Sequence, residues 1–140
     1  MKSIRMTVTE ASRVVGADGE ASEMRCVAPG CLRGGVLTYT TEADGAKVFH
    51  RVDLREVGRV TVTRSGAIVS ELVFSVGERH ASVYRIPPFS FDMEIVTRSL
   101  SVSMSEAGGS IRLCFASRLG GAEQETELTV SAVPRGEGEP

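Results

Sequence analysis

Val60-Thr61-Val62-Thr63-Arg64-Ser65-Gly66 alternates apolar and polar residues and stops at a Ser-Gly turn; after a short gap, Leu72-Val73-Phe74-Ser75-Val76-Gly77 does so again. Period-two alternation puts Val60 and Val62 on one face of a strand and Thr61 and Thr63 on the other. The gap is too short for a helix, so the two runs read as antiparallel neighbours with one buried face.

The same period runs outward in both directions. Ile4, Met6 and Val8 alternate with Arg5, Thr7 and Thr9; Phe89, Phe91, Met93 and Ile95 share one phase, as do Ile111, Leu113 and Phe115, and then Leu128 and Val130. Turn chemistry separates the runs at Gly16–Gly19, Gly34-Gly35, Asp44-Gly45, Ser65-Gly66, Gly108-Gly109 and Gly120-Gly121. Pro87-Pro88 cannot donate to a ladder and belongs at a strand end or bulge. No window keeps the spacing of an amphipathic helix over several turns. Asp53–Arg59 is expected to form at most one helical turn. The reading is all-β: about eight to ten strands joined by short hairpins, with little helix. Such a meander is expected to close into a single antiparallel up-and-down barrel, which removes the two edges of an open sheet. A two-sheet sandwich is the alternative, but its crossings need long connections that this chain lacks. The domain is expected to span residues 1–133, with 134–140 a disordered tail rich in Gly, Pro and charge.

The chain has 140 residues, 41% of them hydrophobic, and 16 Lys+Arg against 18 Asp+Glu give a net charge of −2. That suits one domain with a core of its own. It also lacks the basic footprint of a nucleic-acid or anionic-lipid binder. Aromatics are only 5% of the chain, too few for base-stacking platforms, so no nucleic-acid partner is expected. The N-terminus alternates instead of following a signal-peptide pattern, and no apolar run reaches the roughly 18–20 residues of a membrane span. The expected location is the cytoplasm, with no membrane partner.

Cys26, Cys31 and Cys114 are odd in number, against a disulfide framework, and read as reduced, partly buried thiols. The Cys26–Cys31 spacing is not that of a zinc knuckle, and His50 and His80 are the only histidines. Neither a metal nor another cofactor is expected. Every basic residue other than Lys2 and Lys47 is arginine, the residue suited to bidentate anion contacts, although a GC-rich coding bias accounts for the same excess.

Val60–Gly66, Leu72–Gly77, Tyr84 followed by Pro88-Phe89, Ile95-Val96-Thr97, Gly108–Leu113 and the closing Glu127-Leu128-Thr129-Val130-Ser131 together resemble the YwiB-like family, also called the DUF1934 domain. The resemblance covers residues 2–133 and is strongest from Val60 onward. Ile86-Pro87-Pro88-Phe89-Ser90 departs from it by lacking a turn glycine. It implies a small bacterial, cytoplasmic, calycin-like barrel similar in shape to lipocalins, and no assigned activity.

A barrel of this size holds packed side chains or one small ligand, so polar residues in the inward phase are the candidates. Arg64 follows Val60 and Val62; His50 lies in phase with Val48, Val52 and Leu54; His80 shares a face with Tyr84. These four form the candidate ligand-binding set, able to hold a small acidic or aromatic molecule because arginine offers a carboxylate a bidentate fork. Each has an ordinary structural alternative. Taken singly, each residue reads first as that alternative: Arg64 as a strand-end arginine, His50 as a neutral core histidine, His80 as an exposed turn residue and Tyr84 as packing.

No nucleophile elbow, phosphate loop, dinucleotide fingerprint or His-Glu-x-x-His motif is present, so no catalytic residue is assigned and an enzyme is the least favoured class. The expected function is non-enzymatic small-molecule binding. The alternative is a filled barrel acting as a structural or interaction module, in the form of a homodimer, which the outward-phase apolar residues Val69, Val73, Val96 and Val133 favour.

Overall fold

The computed structural model describes residues 2–135. Ten strands follow one another: β1 (Ser3–Gly16), β2 (Ala21–Arg33), β3 (Val36–Ala43), β4 (Ala46–Asp53), β5 (Val60–Gly66), β6 (Ser70–Phe74), β7 (Arg79–Ile86), β8 (Phe89–Ser105), β9 (Gly108–Leu119) and β10 (Ala122–Pro134). They form one antiparallel sheet in the order β6-β5-β4-β3-β2-β1-β10-β9-β8-β7. Apart from β6 and β7, which end the sheet, each strand is thus bonded to its sequence neighbours, and β1 to β10, as an up-and-down barrel requires.

Closure between β6 and β7 is slight. One bridge spans the seam, Val69 opposite Arg85, with each N–H donating to the other's carbonyl at 2.8 Å. The meander therefore closes into an all-β barrel with a weak seam.

Local chemistry sets the turns. Asp44 and Gly45 both take positive φ, 51° and 80°, which a two-residue hairpin between β3 and β4 demands. Pro87-Pro88 is the two-residue turn between β7 and β8, at a strand end as the missing N–H requires. Among the described residues no helix occurs. The helical turn expected over Asp53–Arg59 is replaced by a bend in which Asp53 Oδ1 accepts from the Arg55 backbone N–H at 3.1 Å, a local bond that competes with helix formation.

The inward phase is the one read from the sequence. Met6, Val8, Leu37, Val52, Val60, Val62, Leu72, Phe74, Ile95, Ile111, Leu113 and Val130 are buried. Phe74 of β6 and Phe115 of β9 meet inside the barrel, ring centroids 4.8 Å apart at 58°. Two aromatic expectations fail at the rim: Phe89 and Phe91 keep the core phase but are 64% and 38% exposed. They sit at the tip of the β7–β8 hairpin, and β7 has only the slender seam beyond it, so no opposing wall covers them. Of the expected tail, Pro134 ends β10, and the Arg135 N–H donates to the Arg5 carbonyl at 2.8 Å. The rest, residues 136–140, lies outside the described residues.

Candidate functional site

Register, more than sequence, assembles the site. Tyr39 pairs with His50, His50 with Arg64, and Arg64 with Ser70, so a row of inward-facing polar residues crosses β3, β4, β5 and β6. The row sits on strands whose remaining inward residues are mostly apolar.

Gly30 of β2 lets the row reach β1. A Cβ there would lie 2.7 Å from both the Thr38 carbonyl oxygen and Val8 Cγ2, and 3.2 Å from Tyr39 Cβ. Without it, Tyr39 spans the width of β2 and its hydroxyl donates to Glu10 Oε2 on β1. The Tyr39 ring stacks on His50, centroids 4.4 Å apart and planes within 4°.

His50 is the junction of the network. Its Nε2 stands 2.7 Å from Thr41 Oγ1, Arg64 Nε–H points at its Nδ1 from 3.4 Å, and Glu10 Oε2 lies 3.7 Å from the same Nδ1. Burial, aided by the Arg64 charge and opposed by Glu10, lowers its pKa from 6.5 to about 4, so the imidazole is neutral at pH 7. Burial, with the Glu10 charge added, pushes the Tyr39 phenol well above its ordinary value. The same two causes raise the Cys26 thiol, which keeps it protonated.

The partly buried Arg64 also leads to the seam. Among the described residues no carboxylate lies within ion-pair distance of its guanidinium, in contrast to Arg55, Arg98, Arg112 and Arg118. Beside it opens a cleft of about 520 Å³ between β5–β6 and β7, lined by Arg64, Ser70, Glu71, His80, Ser82 and Val83. Ser70 is buried and its hydroxyl has no partner among the described residues; the same holds for Ser117 on β9. A buried polar atom without a partner marks a place for water or a ligand.

The structure thus brings three of the four sequence candidates into reach of one another. Arg64 touches His50, and Arg64 and His80 line the same cleft, where His80 Nε2 stands 3.3 Å from the Glu71 carbonyl oxygen. Tyr84 is a half-buried packing residue against the core, opposite Phe91, and does not line the cleft. Sequence reasoning missed Glu10, Tyr39 and Thr41 as site residues; Ser70 is legible as inward from the Leu72 phase but is not among the four candidates. A signal for Glu10 existed, because it continues the Ile4–Met6–Val8 phase.

Among the described residues no group of three or more His, Cys, Asp or Glu is placed to hold a metal ion, and no helix is long and apolar enough to cross a membrane.

Two comparisons bear on this chain. A family profile described as a domain of unknown function, DUF1934, matches residues 10–129. The crystal structure of the ywiB protein from Bacillus subtilis is similar over 92% of each chain, with a TM-score of 0.75 at 23% identity, which establishes the shared fold. No curated protein matches.

Proposed function

The chain belongs to the DUF1934 family, a barrel family whose description assigns no activity, and from its own side chains we propose that it is a non-enzymatic binder of a small acidic molecule. The observation that carries this reading is Arg64: a partly buried guanidinium without a carboxylate partner among the described residues, next in register to buried Ser70, whose hydroxyl likewise has no partner among them. A carboxylate or phosphate on the ligand supplies the bidentate acceptor that the arginine lacks. Ser70 donates to the same anion, and the cleft volume falls in the range of small-molecule sites.

This reading is that of a calycin-like binder. Three free thiols fit a reducing cytoplasm, and the likeness to a Bacillus subtilis protein supports a bacterial source. The second reading, a filled interaction module, is favoured by exposed Ile86 and Phe89 at the β7–β8 hairpin.

Native mass spectrometry of protein purified gently from its own host, repeated after denaturation, tests the proposal. The expected result is an acidic small molecule held in the native spectrum and lost on denaturation, and absent from Arg64→Ala prepared the same way. A clean apo spectrum, together with no thermal stabilisation by a panel of carboxylates and phosphates, overturns it.

A further inference from the structure

The upper half of β2 is an open sheet edge. β2 pairs with β1 from Ala21 to Arg33 but with β3 only from Gly30 to Arg33. Over residues 21–29 the side of β2 turned away from β1 has no strand partner among the described residues. Residues 21–25 are all exposed, with Met24 at 75%, and so is Val27 at 61%. A long strand edge carrying exposed apolar side chains is a template for another strand.

We propose that the strand it takes is the same edge of a second copy of this chain, paired antiparallel about a two-fold axis through Met24. Charge selects both the occupant and the register. In this register Glu23 of each copy faces Arg25 of the other, Ala21 faces Val27, and Met24 meets its own copy. Shifting the axis by one residue either way puts Glu23 against Glu23 or Arg25 against Arg25, and like charges directly opposite destabilise a strand pair.

The faces agree with this register. Even-numbered residues of β2 point inward, as buried Ala28 and Leu32 show. Glu23, Arg25 and Val27 therefore share the outer face, where their cross-strand partners lie within reach. Among the described residues of one chain Glu23 is held only by an exposed pair with Arg13 at 3.5 Å, a weak tie. The contact is isologous, so it closes at a dimer and does not propagate.

Sedimentation velocity on the full chain across a concentration series tests this. A reversible monomer–dimer equilibrium is expected. Glu23→Arg and Arg25→Glu alone should each weaken the dimer by about tenfold or more, and the double exchange should restore it. Both residues are exposed, so thermal midpoints measured at concentrations where every variant is monomeric should be unchanged. If either single variant fails to fold, Met24→Lys replaces it, setting lysine against lysine on the axis. A wild-type chain that stays monomeric, single variants that associate like wild type, a double exchange that stays monomeric, or assembly beyond the dimer would each overturn the proposal.

Discussion

Arg64 Nε–H points at His50 Nδ1 across 3.4 Å, which makes Nδ1 an acceptor and leaves the imidazole proton on Nε2, facing Thr41 Oγ1 at 2.7 Å. Protonating His50 puts a second proton on Nδ1 against the guanidinium, at a position where the imidazole itself is buried. The Glu10 carboxylate 3.7 Å away compensates only in part.

Stability should therefore fall on mild acidification. The unfolded histidine takes its proton near 6.5 and the folded one only near 4, so between those values the unfolded chain binds more protons. The neutral-histidine contribution is complete above pH 6.5 and is lost as pH falls to about 4. Its size is on the order of 3 kcal/mol. Asp53, held at about 2 chiefly by the Arg55 guanidinium, adds a separate loss only below its unfolded value of 3.8. Urea unfolding at pH 7.5, 5.5 and 4 should show the drop, and His50→Gln should flatten the segment above pH 4. An unchanged slope in that variant would assign the acid sensitivity elsewhere.

Gly30→Ala should destabilise the barrel by about 1–3 kcal/mol through overpacking. One of the two atoms 2.7 Å from the new Cβ is the Thr38 carbonyl oxygen, which cannot move without disturbing the β2–β3 ladder; the other, Val8 Cγ2, belongs to a side chain. Val8→Ala in the same chain should consequently recover only part of the loss in chemical denaturation. Full recovery would mean that the backbone contact is unimportant.

Phe74→Ala and Phe115→Ala should each cost about 3–5 kcal/mol, because both rings are buried and each forms part of the other's wall. The double variant should lose less than the two single losses combined, the difference being the ring–ring coupling. Strict additivity would show that the two rings do not support one another.

The distribution of these residues shows what the sequence alone could convey. Alternation at Val60–Val62, Leu72–Phe74 and Ile111–Phe115 has one consistent reading, and the inward face follows from it. Phe89 and Phe91 obey the same rule yet stay exposed, because burial needs an opposing wall and a hairpin tip at the rim has none. His50 and Arg64 were legible as inward residues, but their contact depends on a register set by the irregular segment 54–59, which carries no periodic signal. Glu10 sits in phase with Met6 and Val8; a carboxylate there reads as the end of a strand until Tyr39 is seen to cross Gly30 and hydrogen-bond it. Tyr84 has the inward phase and still lies away from the cleft, since phase fixes the face and not the place along it.

Arg64 and Glu10 act on His50 with opposite sign, and removing each should move its titration in opposite directions. The guanidinium disfavours the imidazolium while the carboxylate favours it, with burial the larger effect behind both. Arg64→Ala should therefore raise the His50 pKa from about 4 toward its ordinary value, and Glu10→Gln should lower it further. In a His80→Gln background a single imidazole remains, and its NMR shift against pH reads the change directly. Arg64→Ala should alter stability at pH 7 little, because the arginine makes only the long bond to His50 and no ion pair among the described residues. A parallel shift in both variants would show that they act through a change in burial, and that Arg64 and Glu10 do not bracket the imidazole as charges.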